Sequence, residues 1–525
     1  MSNRLLASSL VLALMAMPAL AEEACDDLVE VDAARQLRQL TLDLHGRVPT
    51  ETELESLGDS PIDEARVDAM LASDEFSAFV RRHHRDLLWP NTEGLDLVNA
   101  AISLLLPAQF YDSFGDGQRL FLLLTGFYQR GGLVPCKDEP AEWDADGNLI
   151  FEDLPDGTRR EGYVMVEPYW APGTQVKVCG LEARDNEFSE DGTACNTPNG
   201  LYTGTCGCGP ALQNCASLDV AYELVPLLQE QQLRMVEATI REGRPYTDML
   251  LSHTEEVNGP LVHYYKYLAP MGVDPFIQYP PVAVAELPDI PYTDRAFRSV
   301  EREAPQSAGI LTSMSYLLRF QTSRARANQF HNSFLCQPFV APAGGLPSPN
   351  DDCSREPNLR KRCGCGFCHA QLEPAAAHWA RFADAGTAWL NPELFPTYMA
   401  RCAQCARNPG AACDFVCDRF YVSEVGHPDE APYAGVLKAY EWRDAEEVAK
   451  VEAGPAALVQ QAINDGRLAQ CAAQKVFTRL YHREPVEAER DDLRRFARVF
   501  EDSDYNFKAL VKAELMDPGY RRMKR

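Results

Sequence analysis

The sequence predicts a mainly α, multidomain protein interrupted by a Cys-rich insert of loops and β-hairpins. Three observations carry this. Apolar residues recur at helical spacing near both ends and through the middle of the chain. A Gly-, Pro-, Asp- and Cys-rich stretch from Gly131 to about Cys215 lacks that period. Seventeen cysteines in 525 residues fall in clusters rather than evenly. With 46% hydrophobic residues the chain is long enough for roughly two to four domains with proper cores. A formal net charge of −27 argues against nucleic acid or an anionic membrane as partner.

The first residues have the pattern of an export signal. Arg4 supplies a short positive region, Leu5 to Met17 is mostly apolar, and Ala19-Leu20-Ala21 is a small-x-small cleavage site. The apolar run is shorter than the ~20 residues a membrane span needs, and no later stretch replaces it. Glu23-Ala24 before Cys25 is not the small apolar lead-in of a lipoprotein. The mature chain is therefore expected to be periplasmic or secreted, with cleavage after Ala21. In an oxidising compartment abundant cysteines point to disulfides. The expected segments are a signal peptide at 1–21, helical domains at 22–130 and 217–335, and the insert at 131–216. A fourth domain spans 336–448, and a closing helical domain spans 449–525.

Taken in order, Val31 to Leu40 has helical spacing, and Thr50-Glu51-Thr52-Glu53 is a capping box for the next helix. Arg66 to Leu71 and Phe76 to Leu88 continue the pattern. His83 and His84 point about 100° apart on a helix, which suits packing or surface roles better than a shared metal. Arg47-Val48-Pro49-Thr50-Glu51-Thr52-Glu53 is echoed by Arg483-Glu484-Pro485-Val486-Glu487-Ala488-Glu489; duplication and shared capping chemistry both account for it. Ala101 to Leu106 and Leu120 to Phe127 read as apolar helices.

The insert holds Cys136, Cys179, Cys195, Cys206, Cys208 and Cys215, an even six that suits internal disulfides. Asp144-Ala145-Asp146-Gly147-Asn148 looks calcium-like but has Leu149 where an EF-hand loop has glycine. Helices resume at Ser217, with Pro226 expected to kink the run or start a second helix. A proline-rich connector from Pro275 to Pro291 follows. A long helical stretch, broken at most near Thr312-Ser313, is expected from Ala308 to Cys336, and another helix from Ala375 to Ala385. Cys402, Cys405, Cys413 and Cys417 make an even four, most simply two disulfides. Val436 to Tyr440, Pro455 to Ile463, Leu468 to Tyr481 and Phe507 to Leu515 close the chain as helices.

One stretch carries chemistry. Cys363-Gly364-Cys365-Gly366-Phe367-Cys368-His369 contains Cys365-x-x-Cys368-His369, the pattern for covalent c-type haem attachment. Two thiols three positions apart on a tight turn can each add to one porphyrin vinyl group, and the adjoining imidazole becomes the proximal iron ligand. One covalent haem c is thus expected, held by Cys365 and Cys368 with His369 on the iron. Attachment of this kind takes place outside the cytoplasm, in agreement with the export signal. Cys402-x-x-Cys405 is followed by Ala406, so it is not a second site.

The C-terminal half resembles the planctomycete-type cytochrome c family of large exported proteins built from domains of unknown function. The stretches that carry the resemblance are Ala308-Gly309-Ile310-Leu311-Thr312-Ser313, Phe334-Leu335-Cys336, and Cys365-Gly366-Phe367-Cys368-His369-Ala370-Gln371-Leu372-Glu373-Pro374. Leu468 to Tyr481 and the tail from Tyr505 to Tyr520 are similar to that family's closing helical domain, and Leu40 to Thr50 to a helical domain of relatives. The resemblance implies a c-type haem domain at 336–448 and leaves the reaction open.

Arg324 and Arg326 are candidates to meet the haem propionates. For the sixth iron position Met399, thirty residues beyond His369, is the first candidate, and His331 is a second. His378, His427, Met314 and an open position complete the set. A methionine ligand raises the potential and suits electron transfer. An open position suits peroxide or oxygen chemistry. No G-x-S-x-G elbow, phosphate loop or H-E-x-x-H occurs. The expected function is electron transfer, or service as the redox module of a periplasmic complex with an unidentified redox partner protein. A haem-dependent oxidoreductase and a disulfide-stapled binding protein without haem are the alternatives. So is a zinc site drawn from Cys363, Cys365, Cys368 and His369 with Cys402 and Cys405.

Overall fold

The computed structural model describes residues 28–524 apart from 59, 92–109, 113, 116, 118–119, 122–125, 127–128, 133, 204, 272–283, 303–306, 341–346, 409, 411 and 439–443. The expected signal peptide, the apolar run at 101–106 and part of the proline-rich connector lie outside the described residues. Among the described residues the architecture is mainly helical, with strands only in two-stranded pairs.

The N-terminal helices form where the caps direct them. Asp32 accepts the amide of Arg35 and starts α1 (Ala33–Leu40). Thr50 and Glu53 close the capping box of α2 (Glu51–Leu57), and Asp63 caps α3 (Glu64–Ala72). In α4 (Ser77–Leu88) His83 and His84 are buried, not exposed. His84 Nδ1 donates to the Val80 carbonyl, and its Nε2 accepts from the Tyr246 hydroxyl at 3.1 Å. Burial pulls the His84 pKa down to about 4, so the pair packs as neutral rings.

Leu120–Phe121, expected within a helix, is the strand β3, paired with β2 (Phe110–Tyr111). The insert is stapled among its own six cysteines: Cys136–Cys179, Cys195–Cys206 and Cys208–Cys215. It carries two hairpins, β4 (Glu152–Asp153) with β5 (Arg159–Arg160), and β6 (Tyr163–Val166) with β7 (Val176–Cys179). The calcium-like loop is a local turn, in which Asp144 accepts the amides of Asp146 and Asn148.

Ser217 caps α5 (Leu218–Arg241), which runs unbroken through Pro226. The carbonyl that Pro226 leaves without a partner belongs to Tyr222, on the exposed side where water can serve it. Two short helices, α6 (Asp248–Leu251) and α7 (Gly259–His263), flank β8 (Thr254–Val257), which pairs with β9 (Arg298–Glu301). The helical stretch expected from Ala308 to Cys336, with a break at most near Thr312-Ser313, begins as a helix only after that break and is divided again further on: α8 (Met314–Arg319) and α9 (Ser323–Phe334). Ser313 and Thr322 each cap their own helix, and two good N-caps in one stretch divide it. Further on come α10 (Gly366–Ala376), α11 (Ala400–Ala406) and α12 (Phe415–Phe420). The expected helix at Val436 is instead extended: Val436 bridges to Tyr398 and Leu437 to Tyr421. The chain closes with α13 (Ala445–Asn464, bent at Gly454), α14 (Arg467–Tyr481), α15 (Arg490–Asp502) and α16 (Phe507–Leu515).

One core links the chain's two ends with its middle. Leu44, Phe79 and Val236 pack in the same apolar cluster as Phe330, Trp379, Phe477, Phe496 and Val511. A second cluster joins the insert to α5 and α7, and a third surrounds Cys402 and Cys417. The echoed segments have the same local structure. Arg47 forks onto Glu53 at 2.8 and 2.9 Å, and Arg483 onto Glu489 at 2.7 and 2.5 Å. In both, the glutamate also takes the backbone amide three residues before it, that of Thr50 or Val486. The two units meet at Asp43, which accepts from Tyr520 at 2.7 Å and contacts His482 at 3.0 Å. At the termini β1 (Leu28–Glu30) pairs antiparallel with β10 (Arg522–Lys524).

Seven disulfides among the described residues suit an oxidising compartment. No helix among the described residues is long and apolar enough to cross a membrane. Cys402–Cys417 and Cys405–Cys413 pair within their cluster as expected. Cys336–Cys471, which ties the end of α9 to α14 across 135 residues, has no signal in the local sequence. Replacing both partners (C336S/C471S) is expected to lower unfolding stability by about 2–4 kcal/mol. A shift of the denaturant midpoint at unchanged slope checks this, provided the variant unfolds in one step.

Candidate haem-attachment site

The Cys365–His369 turn is shaped from both sides. Upstream, Cys353–Cys363 closes a ten-residue separation, and Gly364 sits at φ +77° in the left-handed region that favours glycine. Gly366 then opens α10 so close to the Arg360 carbonyl that a Cβ would lie 2.6 Å from it. The amides of Cys368 and His369 both reach back to the Cys365 carbonyl, at 3.1 and 3.0 Å. The two cysteines therefore lie one helical turn apart at the start of α10, both partly exposed. Phe367 between them is 66% exposed.

Cys365 and Cys368 are the free cysteines among the described residues. The other fourteen are paired, including Cys363, Cys402 and Cys405, which a zinc set would have needed as thiolates. That zinc reading is therefore corrected. Cys25 lies outside the described residues.

His369 is held from behind. Its Nδ1 lies 2.5 Å from Glu373 Oε1, one turn further along α10. The carboxylate places the ring proton on Nδ1 and leaves the Nε2 lone pair for another partner, as metal-bound histidines require. Glu373 is 1% exposed, and Arg324 Nε donates to it at 3.0 Å. Arg324 thus clamps the carboxylate that orients His369. Arg326 is elsewhere: fully buried, its guanidinium donates to the carbonyls of Phe320, Phe382, Ala383 and Gly386. Burial lowers its pKa to about 10, and it is not free to meet a propionate.

The candidate sixth ligands separate clearly. Met314 is buried in the second core. His378 Nδ1 donates to the Gly454 carbonyl at 2.8 Å. His427 caps the Pro428–Tyr433 turn, accepting from the Asp429 amide. Met399 packs partly buried against the third core, among Cys402, Cys405 and Phe420, and contributes its backbone amide to the Gly435 carbonyl. His331, on α9, is buried with neither ring nitrogen hydrogen-bonded.

Sequence reasoning passed over Glu373 and the acidic group beyond it. Arg360 bonds Glu447 at 2.8 Å and Asp444 at 3.0 Å, beside an open hollow bordered by Lys361 and Ala370. The i, i+4 spacing of His369 and Glu373 is the signal for the first of these, but the helix expected at Ala375 to Ala385 starts too late to use it; α10 spans Gly366–Ala376 instead. Burial pushes Glu447 from 4.5 up to about 7, against the opposing pull of Arg360. The folded state then retains a proton that the unfolded chain releases, so stability falls as pH rises between 4.5 and 7. Glu447→Gln is expected to flatten that fall by on the order of 2 kcal/mol. Thermal melts across the window check it, with an unchanged slope as the contrary result.

No protein-family model, curated protein or solved structure matches this chain.

Proposed function

We propose that the protein is an exported monohaem c-type cytochrome-like protein, acting in electron transfer or as the redox module of a periplasmic complex. One observation carries the reading. Among the described residues every cysteine is in a disulfide except the two of the Cys-x-x-Cys-His turn. In an oxidising compartment, thiols left unpaired beside a backed histidine are suited to addition to vinyl groups.

The donor set fits the group. Cys365 and Cys368 would form the two thioethers, and His369 Nε2 would face the iron. A haem bound there supplies reversible one-electron chemistry. The chain's own part is orientation and electrostatics. Glu373 fixes the His369 tautomer and makes the imidazole a stronger donor, which favours the oxidised state. Arg324 neutralises the buried carboxylate and limits that effect. Phe367 and the partly exposed thiols put this turn at the surface, where an acidic body with net charge −27 favours a basic redox partner.

The test is expression of the full chain in a host with c-type haem maturation. The expected product is coloured, keeps its colour on denaturation, and has the mass of the polypeptide plus one haem. Cys365→Ser with Cys368→Ser is expected to abolish both while leaving the seven disulfides in place. A colourless wild-type protein with the bare polypeptide mass overturns the reading. Seventeen cysteines less fourteen paired and two on haem leave Cys25. Thiol titration of the denatured holoprotein is thus expected to find one group per chain, or none where Cys25 joins two chains.

A further inference from the structure

His331 is 5% exposed, yet neither Nδ1 nor Nε2 has a hydrogen-bond partner. Buried polar groups in native proteins nearly all have one, and leaving such a group unsatisfied costs about 1–3 kcal/mol. An imidazole kept in that state needs a reason. Burial also draws its pKa down to about 4, so at neutral pH the ring is uncharged and presents a free lone pair.

The ring's position supplies the reason. Its helix, α9, packs on α10, the helix that carries the haem turn. At one end Arg324, in the first turn of α9, meets Glu373 in the last turns of α10. At the other end the chain just past α9 meets the first turn of α10, where Cys368 Sγ lies 3.8 Å from the Val340 carbonyl. The helices therefore run antiparallel. His331 follows Arg324 by two turns, on the same face and towards the thiols. The ring of Phe339, the residue before Val340, lies 4.9 Å from the His331 ring. Cys336–Cys471 anchors α9 immediately beyond, so the histidine is held on a fixed support. Met399, by contrast, is engaged with the third core.

Building on the haem reading above, we propose that His331 is the second axial ligand of the haem held by Cys365, Cys368 and His369. The short segment from Gln337 to Val340, carrying Phe339, then forms the cover over that side of the group. Two imidazole ligands make a six-coordinate, low-potential centre suited to electron transfer rather than to binding oxygen or peroxide.

The experiment uses the full-length holoprotein and its optical and electron paramagnetic resonance spectra. Wild type is expected to be low-spin with a bis-imidazole signature and not to bind carbon monoxide when reduced. His331→Ala is expected to become high-spin and carbon monoxide-reactive, and added imidazole to restore the low-spin form. His331→Met retains a buried unbranched side chain and is expected to give a histidine–methionine spectrum with a raised potential. Should the alanine variant not accumulate, the methionine variant carries the test. Met399→Leu is expected to leave the spectrum unchanged. A high-spin wild type, or variants at His331 with the wild-type spectrum, overturns the assignment while the attachment reading stands. Absence of haem from the wild type overturns both, and is seen before any variant is made.

Discussion

The buried carboxylate of Glu373 is the contact on which the site depends. It accepts from His369 on its own helix and from Arg324 on the neighbouring one, so a single acidic group sets a ring orientation and joins α9 to α10. A carboxylate that is 1% exposed is tolerated only because a cation and a ring N–H satisfy it together. Removing either partner leaves a buried charge and loosens the helix pair at the same stroke. Positioning and stability are therefore one property here.

Around that contact the chain has been tied down where helices alone would not hold it. Cys353–Cys363 braces the approach to the thiol turn, and Cys336–Cys471 braces the exit of α9. Gly364 and Gly366 let the backbone pass between these restraints. The turn itself stays at the surface while its supports are buried. On the haem reading proposed above, rigid support beneath an accessible edge would suit covalent attachment of a flat group.

The helices with caps were legible: Asp32, Thr50 with Glu53, and Ser217 each start an element where local chemistry says they should. So is the confinement of each cluster's disulfides to its own cysteines, from the even counts, whereas the pairing among the insert's six cysteines is left open by the sequence. The misreadings have local causes. Within Ala308 to Cys336 the break near Thr312-Ser313 is legible, whereas the second one, at the Thr322 cap, is hidden by an apolar period that continues across it. A helix is expected at Val436 to Tyr440, but tertiary bridging of Val436 to Tyr398 and of Leu437 to Tyr421 prevails. Within the site the thiols and His369 were readable from spacing. The roles of Arg324 and Arg326 were not, since both are basic residues on one helix and only packing separates a clamp on Glu373 from a ligand for backbone carbonyls. The sequence ranks His331 below Met399, because isolation from hydrogen-bond partners is a property of the folded state.

The pairing of β1 with β10 joins residues from the two extremes of the chain. Because Arg522 to Lys524 are made long after Leu28 to Glu30, this clasp closes only once the helical body between the two strands has been synthesised. On the haem-attachment reading proposed above, the interval between making Cys365 and closing that clasp is time in which a maturation enzyme would still reach the turn.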